Sequence, residues 1–123
     1  MDILVGTTKG LFVLEGGRKV TGPFCEGWPI NHAVGRAGEI WAAGGGKWEG
    51  AGVWRRVGGE WSVSKGPFEG AEQLWSVCVD GGRLLAGSKP AYLYESVDGG
   101  ETWVRLEALT DQPGADQWQP GAA

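Results

Sequence analysis

Three lysines, Lys9, Lys47 and Lys89, recur in glycine-containing segments of the chain, and three tryptophans, Trp28, Trp48 and Trp118, stand in polar stretches rich in glycine or proline. Ammonium groups placed along one rim attract an acidic ligand such as a carboxylated sugar. Indoles stack on sugar faces through apolar contact. These six are the candidate binding residues, set against the plainer reading of solvated lysines and packed indoles. His32 is the single histidine, and an imidazole works as acid or base where a carboxylate or substrate lies within hydrogen-bond reach. Glu26 and Glu72, in neighbouring links, are its candidate companions. His32, Glu26 and Glu72 are thus the candidate catalytic residues, with a hydrogen-bonded structural histidine as the alternative. One histidine and two distant cysteines, Cys25 and Cys78, do not make a metal-ligand set. No phosphate loop or nucleophile elbow occurs, and no cofactor is expected.

The bulk composition narrows the partners. Of 123 residues, 24 are Gly and 8 are Trp, yet 41% are hydrophobic, so the chain is neither collagen-like nor disordered. The net charge is -4 and no basic block occurs, which argues against nucleic acid. No apolar run approaches the ~20 residues that span a bilayer, so no membrane is expected. The start, Met-Asp-Ile-Leu-Val-Gly, carries no positive or cleavable apolar region. A cytoplasmic chain with reduced cysteines is the expectation.

The elements that position these residues repeat. Gly22-Pro23-Phe24 recurs 44 residues on as Gly66-Pro67-Phe68, and the same offset relates Ile30 to Leu74, Ala33 to Val77, Val34 to Cys78, Ile40 to Leu84 and Ala42 to Ala86. Short apolar runs bounded by Gly, without helical period, predict four strands per unit. The first strand covers 30–34 and 74–79, and the second 2–5, 39–43 and 83–86. The third covers 11–14, 52–56 and 91–96, and the fourth 19–21, 60–63 and 102–106. Gly16-Gly17, Gly58-Gly59 and Gly99-Gly100 join third to fourth strands as hairpin turns. A four-stranded unit of about 40 residues has the period of a propeller blade. The fold expected is all-β: blades of four antiparallel strands, about three of them, in an incomplete ring. This places Lys9, Lys47 and Lys89 in equivalent loops between second and third strands. Trp41, Trp54, Trp61, Trp75 and Trp103 fall in strand patterns and are expected in the core.

Ser96-Val97-Asp98-Gly99-Gly100-Glu101-Thr102-Trp103 matches S-x-D-x-G-x-x-W, the Asp box of bacterial neuraminidase repeats. Asp98 can accept backbone N–H groups of its own turn, Gly100 supplies a conformation denied to other residues, and Trp103 can plug the turn from beneath. With Ser96, these are read as structural residues. The segments 4–13, 31–33 and 109–121 are also similar to bacterial sialidase-like, glycosyl-hydrolase-annotated propellers. The resemblance implies carbohydrate handling. Sialidases proper carry a Phe/Tyr-Arg-Ile-Pro segment near their start; this chain has none, so the resemblance carries no catalytic residue onto it.

Residues 1–22 read as a first blade lacking its innermost strand, 23–65 as a second, 66–108 as a third, and 109–123 as a link into a missing fourth. Closed propellers use four to eight blades. The expectation is therefore an N-terminal portion of a longer propeller that binds or hydrolyses carbohydrate. The alternatives are a non-catalytic scaffold for a protein or glycan partner, and a truncated chain with no activity of its own. Open blade faces also allow copies to associate head to tail as a homo-oligomer.

Overall fold

The computed structural model describes residues 2–107 and 113–114. The expected segment 109–123 thus lies, apart from 113–114, outside the described residues, as does Trp118. Among the described residues, eleven strands form three antiparallel sheets. The first runs β1 (Ile3–Thr7), β2 (Gly10–Glu15), β3 (Lys19–Phe24). The second runs β4 (Ile30–Arg36), β5 (Glu39–Gly46), β6 (Gly50–Val57), β7 (Glu60–Ser64). The third runs β8 (Gln73–Asp80), β9 (Arg83–Lys89), β10 (Leu93–Ser96), β11 (Val104–Arg105). Each sheet is a meander in which sequence neighbours pair, so every connection is a hairpin or a short link.

All eleven expected strands are present, with their ends moved by a few residues. The largest differences have local causes. The strand expected over 102–106 shrinks to Val104–Arg105, because Thr102 and Trp103 are drawn into the Asp98 turn. The strand expected from Ala91 begins at Leu93, because the Ser88 hydroxyl donates to the Pro90 carbonyl at 2.6 Å and holds a loop there. Conversely, β3 runs on through Phe24 rather than stopping at Thr21. The Gly58-Gly59 turn has φ of 60° and 84°, the left-handed pair that a two-residue hairpin requires.

The second sheet is the middle layer. Successive residues of β5 are buried on both sides, as strand alternation dictates for a sheet covered on two faces. Trp41, Ala43 and Val53 enter a core with Phe68, Leu74, Val77, Leu84, Ala86, Tyr94 and Trp103. Ala42 turns the other way, into a smaller core with Leu11, Cys25 and Ile30, to which Leu4, Ile40, Trp54 and Trp61 add. The repeated Gly-Pro-Phe motif has one packing task in both places: its ring meets the tryptophan that follows the last hairpin turn of the next sheet. Phe24 stacks on Trp61 at 5.6 Å, and Phe68 lies 5.3 Å from Trp103.

The tryptophans divide differently from expectation. Trp41 and Trp103 are core residues, and Trp54 and Trp61 are half-buried against the smaller core. Trp75 is not a member of either core. It sits in the β8 bulge between Leu74 and Ser76, where the register shift takes it out of the alternation that buries Leu74 and Val77.

Among the described residues no helix is long and apolar enough to cross a membrane. Both cysteines are free, Cys25 buried and Cys78 exposed; burial pushes the Cys25 thiol up to about 12. A maleimide added to the native chain at neutral pH should therefore label Cys78 alone, with Cys25 reacting only after unfolding; mass spectrometry of the peptides reads this. Leu74 is 0% exposed at the centre of the larger core. Leu74→Ala should cost about 2–5 kcal/mol in urea unfolding, and a loss below 1 kcal/mol would mean that this core is not the main source of stability.

Candidate functional site

The turn from Ser96 to Trp103 closes on itself as its residue types require. The Ser96 hydroxyl donates to Asp98 Oδ1 at 2.8 Å and accepts from the Gly100 N–H at 2.9 Å. Asp98 Oδ1 also accepts from the N–H groups of Glu101 (3.1 Å) and Thr102 (2.9 Å), and Oδ2 accepts from the Thr102 hydroxyl. The Thr102 hydroxyl and N–H, then the Ser96 hydroxyl, hold the Asp98 carboxyl well below the usual carboxylate range. Trp103 lies beneath and donates to the Gly100 carbonyl at 3.1 Å.

The turn also docks on the second sheet. The Gly99 carbonyl accepts from Trp41 Nε1 at 3.2 Å and from Arg55 Nη1 at 2.8 Å, and the Ser64 hydroxyl donates to the Glu101 carbonyl at 2.9 Å. Glycine suits position 99 for its φ of 78°, and a Cβ there would meet Arg55 Nη1 at 2.8 Å and displace that guanidinium. Arg55 and Ser64 carry no sequence signal for this role, since they lie 44 and 37 residues from their partners.

A second pair of contacts ties the innermost strands together. Asn31 Nδ2 donates to the Leu74 carbonyl at 2.7 Å, and the Val77 N–H donates to His32 Nδ1 at 3.1 Å. His32 therefore serves as an inter-sheet acceptor through Nδ1, which leaves Nε2 as its remaining polar atom. Glu26 is exposed in the turn after β3, where the Trp28 N–H returns to the Cys25 carbonyl at 3.1 Å.

The candidate ligand groove lies between the β5–β6 turn and the start of the third sheet. Gly46, Lys47, Gly50, Ala71, Glu72, Gln73 and Lys89 line about 510 Å³ of open space. The fold thus brings together Lys47, Lys89 and Glu72, with Glu72 Oε2 4.0 Å from Lys89 Nζ. Trp48 stands beside them, 85% exposed, with Lys47 Nζ 5.2 Å from its ring centre. Lys9 does not line this groove: it sits in the β1–β2 turn, where its carbonyl accepts from the Gly27 N–H at 3.1 Å. Nor do Glu26 and His32 line it. Trp28 is occupied by packing, edge-on to Trp54 at 5.6 Å and with Lys65 Nζ 5.5 Å over its ring. Ala71 and Gln73 join the lining through the 69–73 link that carries Glu72, and nothing in their own side chains marks them. Among the described residues no cluster of three or more His, Cys, Asp or Glu is placed to hold a metal ion.

A carboxylate held below its ordinary range stabilises the fold wherever it is ionised. That contribution is complete above the ordinary Asp value of about 4 and is lost as pH falls through the lower, folded-state value. The gap in urea midpoint between the wild-type chain and Asp98→Asn should accordingly be flat from about pH 7 to 5 and close only in stronger acid. A gap that has already closed at pH 5 would show that these hydrogen bonds do not hold the carboxylate.

No family model and no curated protein matches the chain.

Proposed function

We propose that the three sheets are adjacent blades of a sialidase-like Asp-box propeller, and that the groove between Lys47 and Lys89 binds an acidic carbohydrate without cleaving it. The observation that carries this reading is the convergence of two ammonium groups, from a turn of one sheet and a strand end of the next, on one open groove beside an exposed indole. A carboxylated sugar presents both features they suit: an anionic group for the lysines and an apolar ring face for Trp48. The blade reading is supported by the three meanders in sequence order, by the 44-residue repeat and by the Asp box between third and fourth strands.

Binding is favoured over hydrolysis because glycoside cleavage ordinarily uses two carboxyl groups about 5–10 Å apart. Glu72 is the one carboxylate among the described lining residues, and it faces Lys89. An ammonium–carboxylate pair of this kind also suits a ligand carrying both a charge and hydroxyl groups.

A glycan array should return carboxylated sugars ahead of neutral ones. The double variant Lys47→Ala/Lys89→Ala should then weaken binding of the best hit about tenfold or more, as expected for lost charge-assisted hydrogen bonds. Lys9→Ala should leave the affinity unchanged. Equal binding by the double variant would reject the groove, and turnover of an aryl glycoside panel would reject the non-catalytic reading.

A further inference from the structure

The first and second sheets meet differently from the second and third, and the difference leaves a cleft. Within the second sheet, Trp41 and Arg55 are cross-strand partners, and Arg55 stands two residues before the closing pair of its hairpin. Leu4 and Val13 are partners at the corresponding place in the first sheet. Trp41 and Arg55 receive the Gly99 carbonyl of the next sheet's turn. Leu4 and Val13 receive nothing comparable. The matching turn of the second sheet, Gly58-Gly59, is a two-residue hairpin, and a Cβ built on either glycine would meet no atom within 4 Å. At Gly99 and Gly100 it would meet Arg55, Leu84 and Trp41.

Where a box turn would sit there is an open cleft of about 550 Å³, within the range of small-molecule sites. Its walls include Leu4, Val13, Thr21 and Phe24 from the first sheet and Ile40 and Arg56 from the second. Ile40 and Arg56 are cross-strand partners, so they share the face turned towards the first sheet. Arg56 is half-buried, with its guanidinium 5.7 Å from the Phe24 ring centre and no carboxylate partner among the described residues.

The lining also carries Asp2, Glu15, Arg36 and Glu39. Asp2 Oδ1 accepts from the Gly16 N–H at 2.8 Å, and Glu15 and Arg36 are exposed. Glu39 is half-buried at the start of β5 and also lines the cleft.

We propose that this cleft is a second ligand site, distinct from the lysine groove, for a small molecule with an apolar body and one carboxylate. The body lies on Leu4, Val13, Phe24 and Ile40, and the carboxylate meets Arg56. An unpaired guanidinium over an aromatic ring is preorganised for a planar anion, and the apolar walls favour a ring or short chain attached to it.

The test is a titration of the ¹⁵N-labelled chain with phenylacetate, phenethylamine and 2-phenylethanol, which share one body and differ in charge. Phenylacetate should give saturable shifts confined to the amides around Val13, Thr21, residues 35–40 and Arg56, and should bind about tenfold tighter than either of the others. Arg56→Gln should remove that preference. Leu4→Trp, which places in the first sheet the indole that Trp41 supplies in the second, should fill the cleft and abolish the shifts. Lys47→Ala/Lys89→Ala should bind phenylacetate as the wild-type chain does, which separates this site from the groove. Absence of saturable shifts, equal binding of acid and amine, or full binding by a folded Leu4→Trp chain would each overturn the proposal.

Discussion

The Gly99 carbonyl is the point on which the larger half of this structure turns. It lies on a loop that Asp98 and Ser96 have already closed through their own hydrogen bonds, so it is presented to the second sheet at little further entropic cost. There it meets two donors, Trp41 Nε1 and Arg55 Nη1. The docked loop sets the distance between the sheets, and Trp103, Phe68 and Tyr94 fill the space beneath it. A locally determined turn thereby becomes the spacer of a tertiary interface.

The other interface lacks that spacer and is held by rings instead. Phe24 stacks on Trp61, and Trp28 meets Trp54 edge-on. This arrangement carries a penalty: Nε1 of both Trp54 and Trp61 is buried without a partner, a cost of about 1–3 kcal/mol each. Trp103, in the place that corresponds to Trp61, finds its acceptor at Gly100 because the longer turn folds over it and brings that carbonyl within reach. The two-residue turn after β6 offers Trp61 no carbonyl of this kind.

Much of the strand map was legible in the chain because it rests on neighbours in sequence. Apolar runs between glycines mark β1 to β11, and the Asp98 turn is legible down to which groups bond, since every donor lies within four residues of the carboxylate. The candidate site was legible only in part. Lys47, Lys89 and Glu72 converge, while Lys9 lies against the link after β3 and Trp28 is committed to packing. His32, read as a candidate acid or base, serves as the acceptor for the Val77 N–H, a role that depends on a strand 45 residues away. Trp75 shows the limit from the other side: its alternation predicts burial, and a bulge invisible in the pattern moves it out of the core.

By itself the sequence determined where the chain turns, which residues alternate into strands, and how the Ser96–Trp103 turn closes, because each of these is decided by steric and hydrogen-bonding preferences over a few residues. Only the tertiary structure decided which sheet face meets which, that Gly99 is gripped by Trp41 and Arg55, and which lysines share a groove. Those outcomes depend on contacts between residues tens of positions apart, and such contacts follow from how three stacked sheets fill space. No local preference specifies them.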